Sequence, residues 1–144
     1  MASYSVILAD DHTLFRSGMM TLLKQIPELE RIHEASNGNE VIGLLQAENG
    51  NIDLVLLDLK MPGMNGLEAC RIIKKDFPNT KVIILSMIDQ EQVIVQMLKE
   101  DINAYLLKNC TEDVLRKTIS EVLSRGFYFD ERMVKLLQKS LVQK

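Results

Sequence analysis

The sequence predicts an α/β domain: a five-stranded parallel sheet with helices on both faces, and one further helix at the C-terminal end. Three observations predict it. Short apolar runs such as Leu54–Leu57 and Val82–Leu85 lack polar alternation, as strands buried on both faces do. Between them stand longer stretches whose apolar residues recur at helical spacing. Breaker residues, among them Pro27, Gly38, Gly50, Pro62, Gly63, Gly66, Pro78 and Gly126, separate the two kinds of segment.

Tyr4–Ala9 is an apolar strand that ends at Asp10-Asp11. His12–Ile26 has helical spacing at Leu14, Phe15, Met19, Leu22, Leu23 and Ile26; Asp11 or Thr13 offers an N-cap, and Pro27 closes the helix. Arg31–Ala35, with polar His33 and Glu34 inside it, is a weaker, outer strand. Ser36-Asn37-Gly38 turns the chain into a helix over Asn39–Glu48, with Val41, Ile42, Leu44 and Leu45 on its apolar side. Leu54–Leu57 is the third strand and stops at a single carboxylate, Asp58. After the loop to Gly66, Leu67–Phe77 is helical until Pro78. Lys81–Ser86 is a strand, Gln90–Lys99 a helix, and Asn103–Leu107 a fifth strand that ends at Lys108. Thr111–Ser124 is amphipathic, with Val114, Leu115, Ile119, Val122 and Leu123; Thr111 is its N-cap, and Glu112 and Asp113 suit the positive end of its dipole. Gly126 breaks it. Asp130–Lys144 is a last helix with Met133, Leu136, Leu137 and Leu141 on one side. Crossovers between parallel strands are right-handed. The expected strand order is therefore 2-1-3-4-5, the flavodoxin-like doubly wound arrangement. Residues 1–125 form the expected domain, and 126–144 an appended helix.

Composition narrows the function classes. A chain of 144 residues, 47% hydrophobic and 26% charged, builds one ordinary core without staples. A formal net charge of −3 gives no bulk attraction to nucleic acid. Cys70 and Cys110 match no zinc or redox spacing. No apolar run approaches the roughly 20 residues of a membrane span. The first residues lack the basic and then apolar pattern of a signal peptide. A cytoplasmic location is the expectation.

The strand ends carry the chemistry. Asp10 and Asp11 follow the first strand, Asp58 the third, Ser86 ends the fourth, and Lys108 follows the fifth. In the 2-1-3-4-5 order these strands are neighbours, and ligands of open α/β sheets sit beyond the carboxyl ends of strands. Close carboxylates repel one another unless a cation neutralises them. Mg²⁺ suits such a set, because it takes a few carboxylate or carbonyl oxygens and completes its shell with water and phosphate oxygens. A lysine and a hydroxyl beside a free carboxylate then make an acceptor site for a phosphoryl group.

These residues, with their neighbours, resemble the receiver domain of two-component response regulators. The matching stretches are Ala9-Asp10-Asp11-His12, Leu57-Asp58-Leu59-Lys60-Met61-Pro62-Gly63-Met64-Asn65-Gly66, Leu85-Ser86 and Ala104-Tyr105-Leu106-Leu107-Lys108. Asp-Asp-His and Tyr-Leu-Leu-Lys are most similar to the LuxR-type (NarL/FixJ) DNA-binding regulators. The resemblance implies that Asp58 accepts a phosphoryl group from a phosphohistidine on a sensor histidine kinase. It implies that Asp11, Asp58 and the backbone carbonyl of Lys60 hold Mg²⁺, helped by Asp10. Lys108 would pair with the phosphoryl oxygens, Ser86 would move to hydrogen-bond them, and Tyr105 would swing inward. The face of the fourth helix, fifth strand and fifth helix would carry the readout and, with the C-terminal helix, is a candidate homodimer surface.

Met87 departs from the small residue that many receivers have after the serine, although the LuxR-type group tolerates Met there. In the same group a linker helix stands where 126–144 stand, and a helix-turn-helix domain follows. The expectation is the receiver half of a longer regulator that meets DNA only through that output domain; a stand-alone receiver with a helical tail is the alternative. A haloacid-dehalogenase-type phosphatase is disfavoured because Lys60 stands where it needs a second aspartate. A flavodoxin-type cofactor protein is disfavoured because Asp10-Asp11 would repel a phosphate. A non-phosphorylated pseudo-receiver stays open.

Overall fold

The computed structural model describes residues 3–142. In chain order its elements are β1 (Tyr4–Ala9), α1 (Thr13–Leu23), β2 (Leu29–Ala35), α2 (Gly38–Ala47), β3 (Leu54–Leu57), α3 (Gly66–Asp76), β4 (Lys81–Ser86), α4 (Glu91–Leu98), β5 (Ala104–Leu107), α5 (Glu112–Arg125) and α6 (Glu131–Val142). The sheet order is β2-β1-β3-β4-β5, as expected. Every pairing is parallel, with β1 and β3 in register from Val6↔Leu54 to Ala9↔Leu57.

Period-two geometry sends alternate residues of each strand to opposite faces. Ile7, Ala9, Val55, Leu57, Val82 and Ile84 pack with Val41, Leu45, Ala69, Cys70, Ile73, Ile94 and Met97 of α2, α3 and α4. Val6, Leu8, Leu54, Leu56, Ile83 and Leu85 pack with Met19, Met20 and Leu23 of α1 and Leu115, Ile119 and Val122 of α5. Both sides of β3 are therefore dry, which explains why Leu54–Leu57 shows no polar alternation.

The structure corrects several local expectations. The N-cap of α1 is His12, not Asp11 or Thr13, and its side chain makes no capping bond. The helix ends at Leu23 rather than at Pro27; Gln25 and Ile26 donate back to Leu22 and Leu23 in a tight turn. Ile26 is buried in that turn, so it fits the helical spacing without being helical. β2 starts at Leu29, whose partner is Tyr4 across an irregularity in the register. Leu14 and Val114 are 87% and 44% exposed, not core. Each lies in the first turn of its helix, at the carboxyl edge of the sheet, where little covers it. Leu141 is exposed as well. The expected helix over Asp130–Lys144 holds from Glu131 to Val142, and its last two positions lie outside the described residues.

Asn103 ties the C-terminal segment down. Its Oδ1 accepts from Lys74 Nζ (2.7 Å) and Val82 N (2.8 Å), and its Nδ2 donates to the Gly126 carbonyl (2.7 Å). Gly126 ends α5 at a φ of 96°, a left-handed conformation that glycine adopts without penalty. From there the chain reaches α6, whose Met133 and Leu136 are buried in the same cluster as Ile94, Met97 and Tyr105. Among the described residues no helix is long and apolar enough to cross a membrane.

Candidate functional site

β1, β3 and β4 run parallel and in register, so Asp10, Asp58 and Ser86 emerge at one edge; each is at most 3% exposed. Lys108, one residue past β5, donates its backbone N–H to the Ser86 carbonyl at 2.8 Å, which fixes where its side chain starts. The ammonium then lies 2.7 Å from Asp10 Oδ2 and 3.1 Å from Asp58 Oδ2. Phe15 of α1 lies beneath it, with Lys108 Nζ 4.7 Å from the ring centroid. One buried cation thus bridges two buried carboxylates.

The charges respond to this confinement. Burial pushes the Asp58 carboxyl above its ordinary pKa, and the Lys108 ammonium pulls against that shift without cancelling it. Asp10, nearby and also negative, adds to the rise. Lys108 loses solvation too, but its bonds to Asp10 and Asp58 outweigh the loss and hold its pKa above the usual lysine value. The result is a carboxylate held almost out of water beside a charged ammonium.

Asp11 is exposed, at the rim. Ligand atoms of Asp10, Asp11, His12 and Asp58 all lie within 4.8 Å of one another. The three carboxylates are hard oxygen donors with no thiolate among them, a set that fits Mg²⁺. His12 is the addition that sequence reasoning left out of the site. Its Nδ1 is 3.2 Å from Asp10 Oδ1 and 3.3 Å from Lys108 Nζ, and its backbone N–H donates to Asp10 Oδ1 at 2.7 Å. Its position directly after Asp10-Asp11 was the available signal. Arg16 is a second addition: its guanidinium donates to the Asp10 carbonyl and pairs with Glu34.

The loop after β3 is shaped by Gly66. Its N–H donates to the Leu59 carbonyl at 3.0 Å. A Cβ there would come within 2.7 Å of Leu59 Cα and closer still to the Asp58 carbonyl. The next helix is started by a reciprocal capping box: Asn65 Oδ1 accepts from Glu68 N, and Glu68 Oε1 accepts from Asn65 N. Opposite this loop, Ser86 Oγ accepts the Ile88 N–H (3.1 Å), and Tyr105 OH donates to the Ile88 carbonyl (2.7 Å). Tyr105 is 5% exposed, so its ring already points inward in this structure. A cleft of about 320 Å³ opens onto these groups, lined by His12, Asp58, Lys60, Ser86, Met87, Ile88, Gln90 and Lys108. Met87 sits at its rim, 76% exposed.

With this geometry in view, comparison with known proteins is specific. The family model described as "Response regulator receiver domain" matches residues 6–120. The chain is 34% identical over 134 residues to the transcriptional regulatory protein DegU of Brevibacillus brevis, covering 93% of this chain and 56% of that protein. It is 34% identical over 137 residues to the nitrate/nitrite response regulator protein NarL of Escherichia coli K12, covering 95% and 62%. The chain thus spans about three fifths of the length of these relatives. Among solved structures, the isolated REC domain of RcsB from Salmonella enterica serovar Typhimurium, in the presence of phosphomimetic BeF3⁻, aligns with a TM-score of 0.82 and 28% identity over 94% of this chain and 99% of that one. A LuxR-family DNA-binding response regulator from Staphylococcus aureus aligns with a TM-score of 0.77 and 32% identity over 84% and 99%.

Proposed function

Since the chain belongs to the response regulator receiver domain family, and to its NarL/LuxR-type branch, we propose that Asp58 is its phosphoacceptor, charged by a sensor histidine kinase. Members of this family are phosphoacceptor switches rather than classical enzymes. The observation that carries the assignment to Asp58 is the bridge of Lys108 between buried Asp58 and Asp10.

In the proposed reaction a carboxylate oxygen of Asp58 attacks phosphorus. The bond from phosphorus to the kinase imidazole breaks, and the imidazole nitrogen leaves with the electron pair and takes up a proton. Asp10, Asp11, Asp58 and the Lys60 carbonyl are the proposed holders of Mg²⁺. Bound there, Mg²⁺ supplies positive charge that neutralises the carboxylates and the phosphoryl oxygens. Lys108 follows the new charge and pairs with the phosphoryl group. Ser86 turns its hydroxyl from the Ile88 N–H toward the phosphoryl oxygens, and Tyr105 stays packed behind it. Replacing the carboxylate by an acyl phosphate roughly doubles the negative charge at this position and adds three acceptor oxygens, which only one loop arrangement satisfies. The domain thereby assists its own phosphorylation and dephosphorylation.

We read residues 1–125 as the receiver unit and 126–144 as the linker helix of a longer, cytoplasmic regulator of transcription. Such a regulator would contact DNA through a separate output domain. The face of α4, β5 and α5 is the proposed readout surface and homodimer contact. The test is titration of the native chain with Mg²⁺ and beryllofluoride, followed by amide NMR. Shifts at Asp58, Ser86 and Lys108 are expected, and none in Asp58→Asn. A silent native chain, or an equal response in Asp58→Asn, would remove the assignment.

A further inference from the structure

α6 is clasped at the loop that the proposed phosphoryl site has to move. Arg132 donates through Nη1 to Asp89 Oδ1 and through Nη2 to the Asp89 carbonyl (3.2 Å). Asp89 directly follows Ile88, whose N–H is bonded to Ser86 Oγ and whose carbonyl is bonded to Tyr105 OH. Two turns further along, Lys139 lies 3.9 Å from Glu91 at the start of α4. Below these polar grips only Met133 and Leu136 of α6 are buried. The groove between α4 and α6, lined by Glu91, Val95, Lys99, Leu136 and Lys139 among others, remains open, with a volume of about 350 Å³. A continuous line of contacts therefore runs from the Asp58 cleft to a lightly seated helix: Ser86, Ile88, Asp89, Arg132.

From this juxtaposition we propose that α6 is a phosphorylation-released latch, with the Arg132–Asp89 clasp holding the β4–α4 loop in its unphosphorylated arrangement. The inference rests on Asp58 being the acceptor. When Ser86 turns to the phosphoryl oxygens, the Ile88 N–H loses its acceptor and the loop shifts. Arg132 then loses the paired geometry of the Asp89 carboxylate and carbonyl, and α6 leaves the α4 face. Linkage makes the effect reciprocal: whatever weakens the clasp eases occupation of the Asp58 site by the same factor.

The experiment uses the full 144-residue chain, with Mg²⁺ and beryllofluoride as the probe. Amide hydrogen exchange is read separately at α6 and at the strand-end loops. Beryllofluoride is expected to speed exchange at Met133–Leu137 about tenfold or more. Arg132→Ala, a surface change, is expected to tighten the apparent beryllofluoride affinity at least about fivefold, the lower end of ordinary coupling between sites. Asp89→Ala is the second variant and should shift affinity the same way. Unchanged α6 exchange while the strand-end loops respond would overturn the latch and leave the acceptor assignment standing. So would affinities unaltered by both variants. No response at the strand-end loops would instead overturn the acceptor assignment and the latch with it.

Discussion

At the scale of single residues, Lys108 holds the site together. It is the ammonium that offsets two carboxylates held almost out of water. Removing one partner of a buried, paired set costs about 3–5 kcal/mol, because the remaining charge is left without compensation. Lys108→Ala is therefore expected to lower stability by about that amount at neutral pH. Adding Asp58→Asn to the same chain should restore much of the loss, since it removes one of the stranded charges. Urea unfolding of the two variants checks this; equal stabilities would contradict the bridge. The two cysteines give an independent check of packing. Burial holds the Cys70 thiol up at about 11, and the residue has no exposed surface. Because the thiolate is the reactive form, native Cys70 should resist a thiol reagent at pH 8, while half-buried Cys110, whose thiol burial also raises, reacts slowly but ahead of it. Labelling of both thiols is expected only after unfolding. The strand-end residues were legible in the sequence because each interrupts an apolar run. His12 stood beside Asp10-Asp11 without a role of its own, and Arg16 carried no signal, since its contact with the Asp10 carbonyl arises from where α1 starts.

At the scale of elements, the strands were read well and the helix ends less well. β1, β3 and β4 match their apolar runs because parallel burial demands an unbroken run and a polar residue ends it. The end of α1 was misread because buried Ile26 keeps helical spacing in a turn. Leu14 was misread because periodicity is blind to whether a neighbour covers the first turn of a helix. The turn into α3 carries a capping box, Asn65 with Glu68, that the sequence reading did not name. Asn65→Ala removes a side-chain cap and is expected to cost about 1 kcal/mol. Gly66→Ala should do more, because its Cβ meets the backbone of Asp58 and Leu59 rather than a yielding side chain. Its predicted signature is a weakened beryllofluoride response together with lost stability, measured on the same sample. A variant with both properties unchanged would contradict the close approach. α6 buries only Met133 and Leu136 and is otherwise held by its own hydrogen bonds and the Arg132 clasp, so it belongs to the least stable part of the fold.

At the scale of the whole molecule, the 2-1-3-4-5 order is what converts scattered residues into a site. Asp10 and Lys108 are 98 positions apart, yet their side chains meet at 2.7 Å because β1 and β5 flank β3 and β4 in one parallel sheet. The fold class was legible because four apolar runs and one weaker, partly polar strand alternate with five helical stretches. The way α6 folds back on α4 was not, since an amphipathic stripe says that it will be covered but not by what. The same arrangement defines what the chain should do as a unit: take one phosphoryl group, at one carboxylate. Intact-mass spectrometry after incubation with Mg²⁺ and phosphoramidate, a small donor with the phosphorus–nitrogen bond of phosphohistidine, tests this most directly. A single phosphoryl adduct is expected on the native chain, removed by hydroxylamine as an acyl phosphate should be, and none on Asp58→Asn. An adduct of the same yield on Asp58→Asn, or a native chain that stays unmodified both with this donor and with a phosphorylated histidine kinase, would contradict it.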